Sequence, residues 1–355
     1  MAEAQINLFL NGRLRVPVNY NSTLNLRETE KAIKYVKDLF QKKLANALNL
    51  SRVSAPIAVL NDTGLNDHLN GIERPASFEV KELKKTAEIV QSLAKWKRAA
   101  LADYGFQPGE GLYTDMNAIR PDEDLSTFHS IYVDQWDWER VLTRGDRNLD
   151  FLKGIVNNIY QVMRQAEQET CASFPSLPKP YLPEDIFFIH AEELDEKYPG
   201  LTSKERENAI CKEKGAVFLI GIGAPLKDGQ PHDGRASDYD DWITETGNGK
   251  KGLNGDILLW NPILECAFEI SSMGIRVDKE ALLKQVEIRN ESDKVKLPFH
   301  QRLLNDELPL TIGGGIGQSR LCMLLLRKAH VGEVQSGIWS EKIKSICSHN
   351  NIFLL

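Results

Sequence analysis

Cysteine is sparse in this sequence: five residues, Cys171, Cys211, Cys266, Cys322 and Cys347, in a chain of 355. None belongs to a C-x-x-C pair and none has a histidine nearby at zinc-ligand spacing, which argues against a disulfide scaffold or a structural zinc site and for reduced, structural thiols. Long apolar runs are missing as well. No stretch reaches the roughly 18 apolar residues of a membrane-spanning helix, and the short run Ile6 to Leu10 lacks a basic flank and a small-residue cleavage site, so a soluble cytoplasmic protein is expected. Nor is positive charge in excess. With 44 Lys and Arg against 50 Asp and Glu the formal charge is -6, so no overall attraction to nucleic acid or to an anionic membrane is expected; a small anionic substrate would need a locally basic pocket. Internal repeats and low-complexity tracts are absent too.

What is present is ordinary globular composition, 42% hydrophobic and 26% charged, enough for one large domain or two modest ones. Residues 1-27 are polar, rich in asparagine and weakly periodic, and read as an N-terminal extension outside the core, with 28-355 as a single domain. From Thr29 the apolar positions Ile33, Val36, Phe40, Leu44 and Leu48 recur every three to four residues, which predicts an amphipathic helix with one buried face. Strands are predicted at Val53 to Leu60, Ser77 to Val80, Leu112 to Ile119 and Ser130 to Asp137, and later at Ile186 to His190, Val217 to Gly221, Asp256 to Trp260 and Ala267 to Ser271. Helices are predicted from Ser92 to Asp103, from Glu139 to about Gln168, and near 203-214, 278-290 and 318-329; a proline-rich break at 175-183 comes after the second of these. Neighbouring strands joined by short loops favour an α+β fold, a mainly antiparallel sheet flanked by helices, over a doubly wound parallel one.

The run GGGIGQSR (313-320) comes after the strand-like Pro309 to Ile312 and opens an apolar helix. In each possible G-x-G-x-x-G frame the last position falls on Gln318 or Arg320, so it is not a dinucleotide fingerprint. By itself it fits either close approach of a ligand to the backbone or tight strand-helix packing. It has company in IRPDEDLSTFHSIYVDQWDWE (119-139), GLNGDILLWNP (252-262) and FEISSMGIRVD (268-278). Together these strings resemble the catalytic core of class II aminoacyl-tRNA synthetases of the aspartyl type. Three motifs of that core stand in order: a helix-strand ending at Pro56, an acidic strand-loop-strand opened by Arg120, and a glycine-rich turn closed by Arg320. Within the superfamily the chain is most similar to ammonia-dependent asparagine synthetases, the aspartate-ammonia ligases. SLAKWKR (92-98), GEGLYT (109-114), VDQWDWER (133-140), HDGRASDYDDW (232-242), GLNGDI (252-257), SSMGIR (271-276) and GGGIGQSRL (313-321) carry that likeness over about Glu28 to Trp339.

The resemblance implies a ligase that uses ATP and Mg2+ to adenylate the side-chain carboxylate of aspartate, after which free ammonia displaces AMP. Bringing a carboxylate to the α-phosphate sets two anions against each other, so cations must converge there. On the resemblance, Arg120 grips the α-phosphate and the incoming carboxylate, its fork bidentate to both. Arg320 lies on the adenine ring and terminal phosphate, Glu123 reads the adenine amino group, and Gly313 and Gly317 admit the nucleotide. Asp256 and Glu269 match the acids that hold magnesium, a cation suited by oxygen ligands. Aspartate needs cations at two ends and an acid at the third. Lys97, Gln135, Ser272 and Arg276 fill the first need, and Asp67 and Asp137 the second. One division puts Arg276 and Ser272 on the α-carboxylate, Asp67 and Asp137 near the ammonium, and Lys97 and Gln135 with Arg120 on the reacting carboxylate; the alternative pairing stays open. Ser92 either caps its helix or also touches substrate. Tyr239 and Asp240 read either as a lid over the amino acid or as part of a solvated acidic loop.

A homodimer is implied through the helix of the first motif. Two rival functions are weighed by the same residues. A tRNA-charging synthetase would need an RNA-binding module and a basic surface, and the core motifs leave little chain for one. A silent synthetase-like protein should have lost a phosphate arginine or a metal acid, and Arg120, Arg320, Asp256 and Glu269 are all in place.

Overall fold

The computed structural model describes residues 5-67 and 73-355. The polar segment NDTGLNDHLNG (61-71), which reads as a loop, therefore lies partly outside the described residues. The hairpin β1 (Ile6–Phe9) and β2 (Leu14–Pro17) leads into helix α1 (Leu26–Leu48) and strand β3 (Leu50–Arg52). Strands β4 (Ala58–Leu60), β5 (Ser77–Val80) and β6 (Lys85–Ile89) then form a small sheet of their own, before helix α2 (Ala94–Asp103). Next come β7 (Gly111–Ile119), β8 (Tyr132–Val141), the long helix α3 (Leu149–Ser173), β9 (Phe187–His190), α4 (Ala191–Lys197), α5 (Ser203–Lys214) and β10 (Ala216–Ile220). The remainder runs β11 (Glu245–Gly247), β12 (Lys250–Lys251), β13 (Asn254–Asn261), β14 (Cys266–Ile275), α6 (Lys279–Ile288), α7 (Pro298–Leu304), β15 (Thr311–Gly317), α8 (Gln318–Leu325) and α9 (Glu341–His349).

The main sheet has eight strands in the order β3-β7-β8-β15-β14-β13-β10-β9. Its central pairs are antiparallel and only the two edge pairs, β3 with β7 and β10 with β9, are parallel. The α+β class expected from the strand pattern is the one observed. Helix α1 buries Ile33, Val36, Phe40, Leu44 and Leu48, the stripe its spacing predicts, and Phe40 packs on Trp136 of β8 with ring centroids 4.7 Å apart. Asn25 and Glu28 cap its start reciprocally, and the left-handed Asn49 (φ 56°) ends it at once. No helix among the described residues is long and apolar enough to cross a membrane, and all five cysteines are unpaired thiols.

Several elements differ from expectation for identifiable reasons. Residues 5-27 are not outside the core. Leu14 and Val16 are fully buried, Tyr20 and Leu24 nearly so, all within the main apolar cluster, and Arg15 donates to the Leu264 carbonyl at 3.0 and 3.1 Å. Four alternating residues are too short a run to stand out among asparagines. Of the strand expected over 53-60 only β4 forms; β3 ends before it at Arg52, and the break between the two holds Pro56. Strand β6 is not apparent in the sequence pattern, because KTAEI is a short mixed run in which only Ala87 is fully buried.

The helix expected from Glu139 starts only at Leu149, capped by Asn148, whose side chain accepts from the Phe151 amide at 2.9 Å. Glu139, Arg140 and Val141 instead extend β8 along β15. The glycine run is not a turn either: Gly313 to Gly317 form the body of β15 in mid-sheet.

Candidate active site

Those glycines have a specific neighbour on each side. Along β8, Gly313 pairs with Glu139, Gly315 with Asp137 and Gly317 with Gln135. A Cβ on Gly315 would fall 2.3 Å from Gln135 Oε1 and 2.8 Å from Asp137 Oδ1; one on Gly313 would fall 1.9 Å from Glu139 Oε2. Glycine is required because polar side chains of β8 lie across the strand beside it. On the other side Gly315 pairs with Ser272, and Ser272 with Asp256. Asp137, Gly315, Ser272 and Asp256 therefore form one row across four strands, β8, β15, β14 and β13. Period-two alternation puts Gln135 and Asp137 of β8 on one face, and a bulge in β14 opposite Ile257 and Leu258 brings Glu269 to the same face as Ser272.

Above that row lies a cavity of about 510 Å³. It is lined by Ser92, Lys97, Arg120, Glu123, Gln135, Asp137, Tyr239, Asp240, Asp256, Glu269, Ser272, Arg276, Gly317 and Arg320. Of the residues singled out in the sequence, Gly313 and Asp67 do not reach this wall; Gly313 sits against Glu139, whereas Gly314 and Gly315 do line it. Asp67 is buried one layer away beside Lys95, Nζ to Oδ1 3.3 Å. Ser92 accepts from the Ala94 amide at 3.1 Å, although the residue flanking α2 itself is Leu93.

The charged groups divide by how far they are already engaged. Lys97, reaching down from α2, donates to the Gly314 carbonyl at 3.1 Å and lies 3.2 Å from Asp137 Oδ1. Arg276 grips Glu139 with Nε (3.0 Å) and Nη2 (2.8 Å) and donates to Asp240 with Nη1. Of its five N–H groups this leaves one each on Nη1 and Nη2. Burial pushes the Glu139 carboxyl up, but Arg276 and Lys97 outweigh it and hold the group ionised, below the usual range; Arg276 in turn is raised by Glu139 and Asp240 against the effect of burial. Asp137 and Asp240 are raised, chiefly by burial.

Arg120 is different. It opens the loop between β7 and β8, burial lowers its pKa, its Nε has no hydrogen-bond partner, and Glu123 stands 3.8 Å from Nη1. Burial raises Glu123, opposed by Arg120. Arg320, in the first turn of α8, donates to the Glu269 carbonyl at 3.0 Å and lies over the Phe268 ring, 5.9 Å from its centroid.

Asp256 and Glu269 influence each other. Burial, with Glu269, pushes Asp256 up to about 7 against the pull of Arg235, while Arg320, Lys204 and Arg235 overcome burial and keep Glu269 below the usual range. Two carboxylates with only oxygen to offer, Asp256 buried and Glu269 half-buried, face one cavity and suit a hard divalent cation such as Mg2+.

Sequence reading missed three contributors. Arg235 lines the cavity and donates to Asp256 Oδ1 at 2.5 Å, with Nε 3.6 Å from Asp240 Oδ2. The signal was available, since it stands inside HDGRASDYDDW. Glu139, within VDQWDWER, organises Arg276. His129 lines the cavity with Nδ1 2.8 Å from Ser126 Oγ, and burial lowers its pKa to about 4, so the ring is neutral. Nor is the DYDDW string a solvated loop. Asp238, Asp240 and Asp241 are at most 2% exposed, and each meets a cation: Lys95, Arg276 and Arg147 respectively.

An antiparallel sheet with a basic and acidic cavity on its face, an arginine before the β7-β8 loop and another opening the helix after the glycine strand define the class II aminoacyl-tRNA synthetase type of catalytic core. Solved structures agree. The chain superposes on asparaginyl-tRNA synthetase from Entamoeba histolytica in complex with asparaginyl-adenylate with a TM-score of 0.61 at 14% identity, covering 87% of this chain and 66% of that one. The corresponding enzyme from Pyrococcus horikoshii, also complexed with asparaginyl-adenylate, gives 0.61 at 16%, covering 86% and 68%. The aspartate-ammonia ligase family model matches residues 27-351. The aspartate-ammonia ligase of Bacteroides fragilis is 57% identical over 340 residues, 96% of this chain and 98% of the relative; that of Clostridium perfringens is 56% identical over 344 residues, 97% and 99%. The chain belongs to the aspartate-ammonia ligase family.

Proposed function

We infer that the chain makes asparagine from aspartate and ammonia at the expense of ATP. A side-chain carboxylate oxygen of aspartate attacks the α-phosphorus and pyrophosphate leaves, giving β-aspartyl-adenylate. The nitrogen of ammonia then attacks the acyl carbon, a proton is lost and AMP departs. The observation that carries this reading is Arg120, a half-buried guanidinium whose Nε has no hydrogen-bond partner and whose carboxylate neighbour Glu123 stands 3.8 Å away, in a cavity where Arg235 and Arg276 are held by carboxylates at shorter range. An anion at that point satisfies it, and two oxygens from different groups can share its fork.

Each end of the substrates has its own set of residues. Arg120 holds the α-phosphate and the reacting carboxylate, with Lys97 and Gln135 beside the latter. Arg276, through its two remaining N–H groups, and Ser272 take the α-carboxylate. Asp137 and, from behind, Asp67 face the ammonium. Tyr239 and Asp240 cover the amino acid and Ser92 touches it from the start of α2. Glu123, Gly317 and Arg320 receive the nucleotide; Gly313 contributes by leaving room for Glu139. Asp256 and Glu269 hold Mg2+, which when bound neutralises polyphosphate charge. We place the enzyme in the cytoplasm as a homodimer joined along α1, acting without nucleic acid; light scattering in solution tests the assembly.

The function is tested by two assays. Pyrophosphate should exchange into ATP with aspartate alone, and AMP and asparagine should appear once ammonium is added, with or without tRNA. Exchange that required tRNA, or turnover on glutamine equal to that on ammonium, would overturn the assignment.

A further inference from the structure

A second charged cluster lies behind the cavity, and adenylation and amide formation leave most of it unused. Lys95 Nζ stands between two buried carboxylates, 2.9 Å from Asp238 Oδ2 and 3.3 Å from Asp67 Oδ1. The chain of contacts continues through Asp238 Oδ2, which is 2.8 Å from His300 Nε2 on α7. Lys95, Asp238, Asp67 and His300 are between 0 and 5% exposed at their side chains. Because a carboxylate can only accept, the Nε2–H is the donor in this contact and Nδ1 is turned away from it. That Nδ1 has no hydrogen-bond partner and faces Gly64, where an added Cβ would sit 3.1 Å from it and 2.9 Å from Leu297 Cβ.

Gly64 belongs to the same loop as Asp67, and the Phe299 amide, next to His300, donates to the Thr63 carbonyl at 3.2 Å. The loop is thus held from two sides, by the face of α7 under Gly64 and by Lys95 under Asp67. Both oxygens of Asp67 are buried and lack a hydrogen-bond donor, so nothing else among the described residues orients them.

We propose that His300, acting through Asp238 and Lys95, is a positioning residue that sets the place and orientation of Asp67 toward the substrate ammonium. His300 touches no substrate. Its N–H holds Asp238, Asp238 holds Lys95, Lys95 holds Asp67, and its ring supports the loop at Gly64. This inference rests on the proposed role of Asp67 at the ammonium.

The test is a double-mutant cycle on the full enzyme, read as KM for aspartate and for ATP separately. His300→Phe fills the space but removes the donor, and should raise KM for aspartate about tenfold while KM for ATP moves less than about twofold. His300→Gln, which restores an N–H, should recover most of the loss. In an Asp67→Asn background, His300→Phe should add little. If His300→Phe does not fold, Lys95→Met replaces it in the cycle with the same expectation.

An unchanged KM for aspartate, or an equal shift in both backgrounds, would overturn the proposal while leaving the role of Asp67 standing. An Asp67→Asn enzyme with unaltered KM would bring down that role and this proposal together. Parallel rises in both KM values that Gln does not rescue would reduce His300 to a structural residue.

Discussion

Gly315 and Asp137 face each other across β15 and β8 with so little space that a methyl group on the glycine would come within 2.8 Å of the carboxylate. The same methyl would meet Gln135 Oε1 at 2.3 Å. Gly315→Ala must therefore rotate two side chains out of the cavity or push the strands apart, costing about 1–3 kcal/mol of stability. Activity should fall by more than the folded fraction does. Comparing the urea midpoint with kcat/KM for aspartate checks this; a folded Gly315→Ala enzyme at parental kcat/KM would refute it.

Arg120→Lys keeps the charge and loses the fork. Because a point ammonium cannot make two parallel hydrogen bonds, turnover should drop about tenfold to a hundredfold with the fold intact. Circular dichroism and the pyrophosphate-exchange rate decide it. A rate within about twofold of the parent would remove Arg120 from the role of phosphate clamp.

Glu269→Ala removes one of two acids from the proposed metal position. Mg2+ should then be needed at higher concentration, and titration by calorimetry in the presence of ATP should show weaker binding, partly overcome by raised Mg2+. An identical titration curve would move the metal away from this pair.

His330 gives a pH dependence of stability. Burial pushes its pKa down to about 4, Nδ1 accepts from the Gly332 amide at 3.0 Å, and Nε2 is buried without a partner. Between the folded value and the ordinary histidine value of roughly 6.5 the unfolded chain binds the extra proton, so stability is fully present above that window and falls as pH drops through it. His129, also lowered to about 4 by burial, adds in the same direction. The urea midpoint should decline from pH 7 to pH 5, and less steeply in His330→Gln if that variant folds. Equal slopes would assign the acid sensitivity to other groups.

Much of the fold was legible because local pattern and tertiary need coincide. The α1 stripe states a period that only a helix satisfies, and the short loops between strands point to antiparallel neighbours. The likeness of the motif strings made the candidate residues legible as a set, since Arg120, Arg320, Asp256, Glu269 and the polar residues of β8 and β14 all line one cavity. Two classes of fact were not legible.

One is strand length beyond the apolar signal. Glu139 sits in a charged stretch that reads as solvent-facing, yet it is fully buried because Arg276, distant in sequence, supplies its counter-charge. The other is the state of each charge. From the sequence alone Arg120, Arg235 and Arg276 are equivalent cations. Sheet register binds Arg276 to Glu139 and Asp240, the loop before DYDDW delivers Arg235 to Asp256 at 2.5 Å, and Arg120 is left with Glu123 at 3.8 Å. The sequence by itself determined which residue types reach the site and on which elements. Only the tertiary structure decided which of them are already committed, because pairing depends on distances of about 3 Å between strands that the chain brings together from far apart.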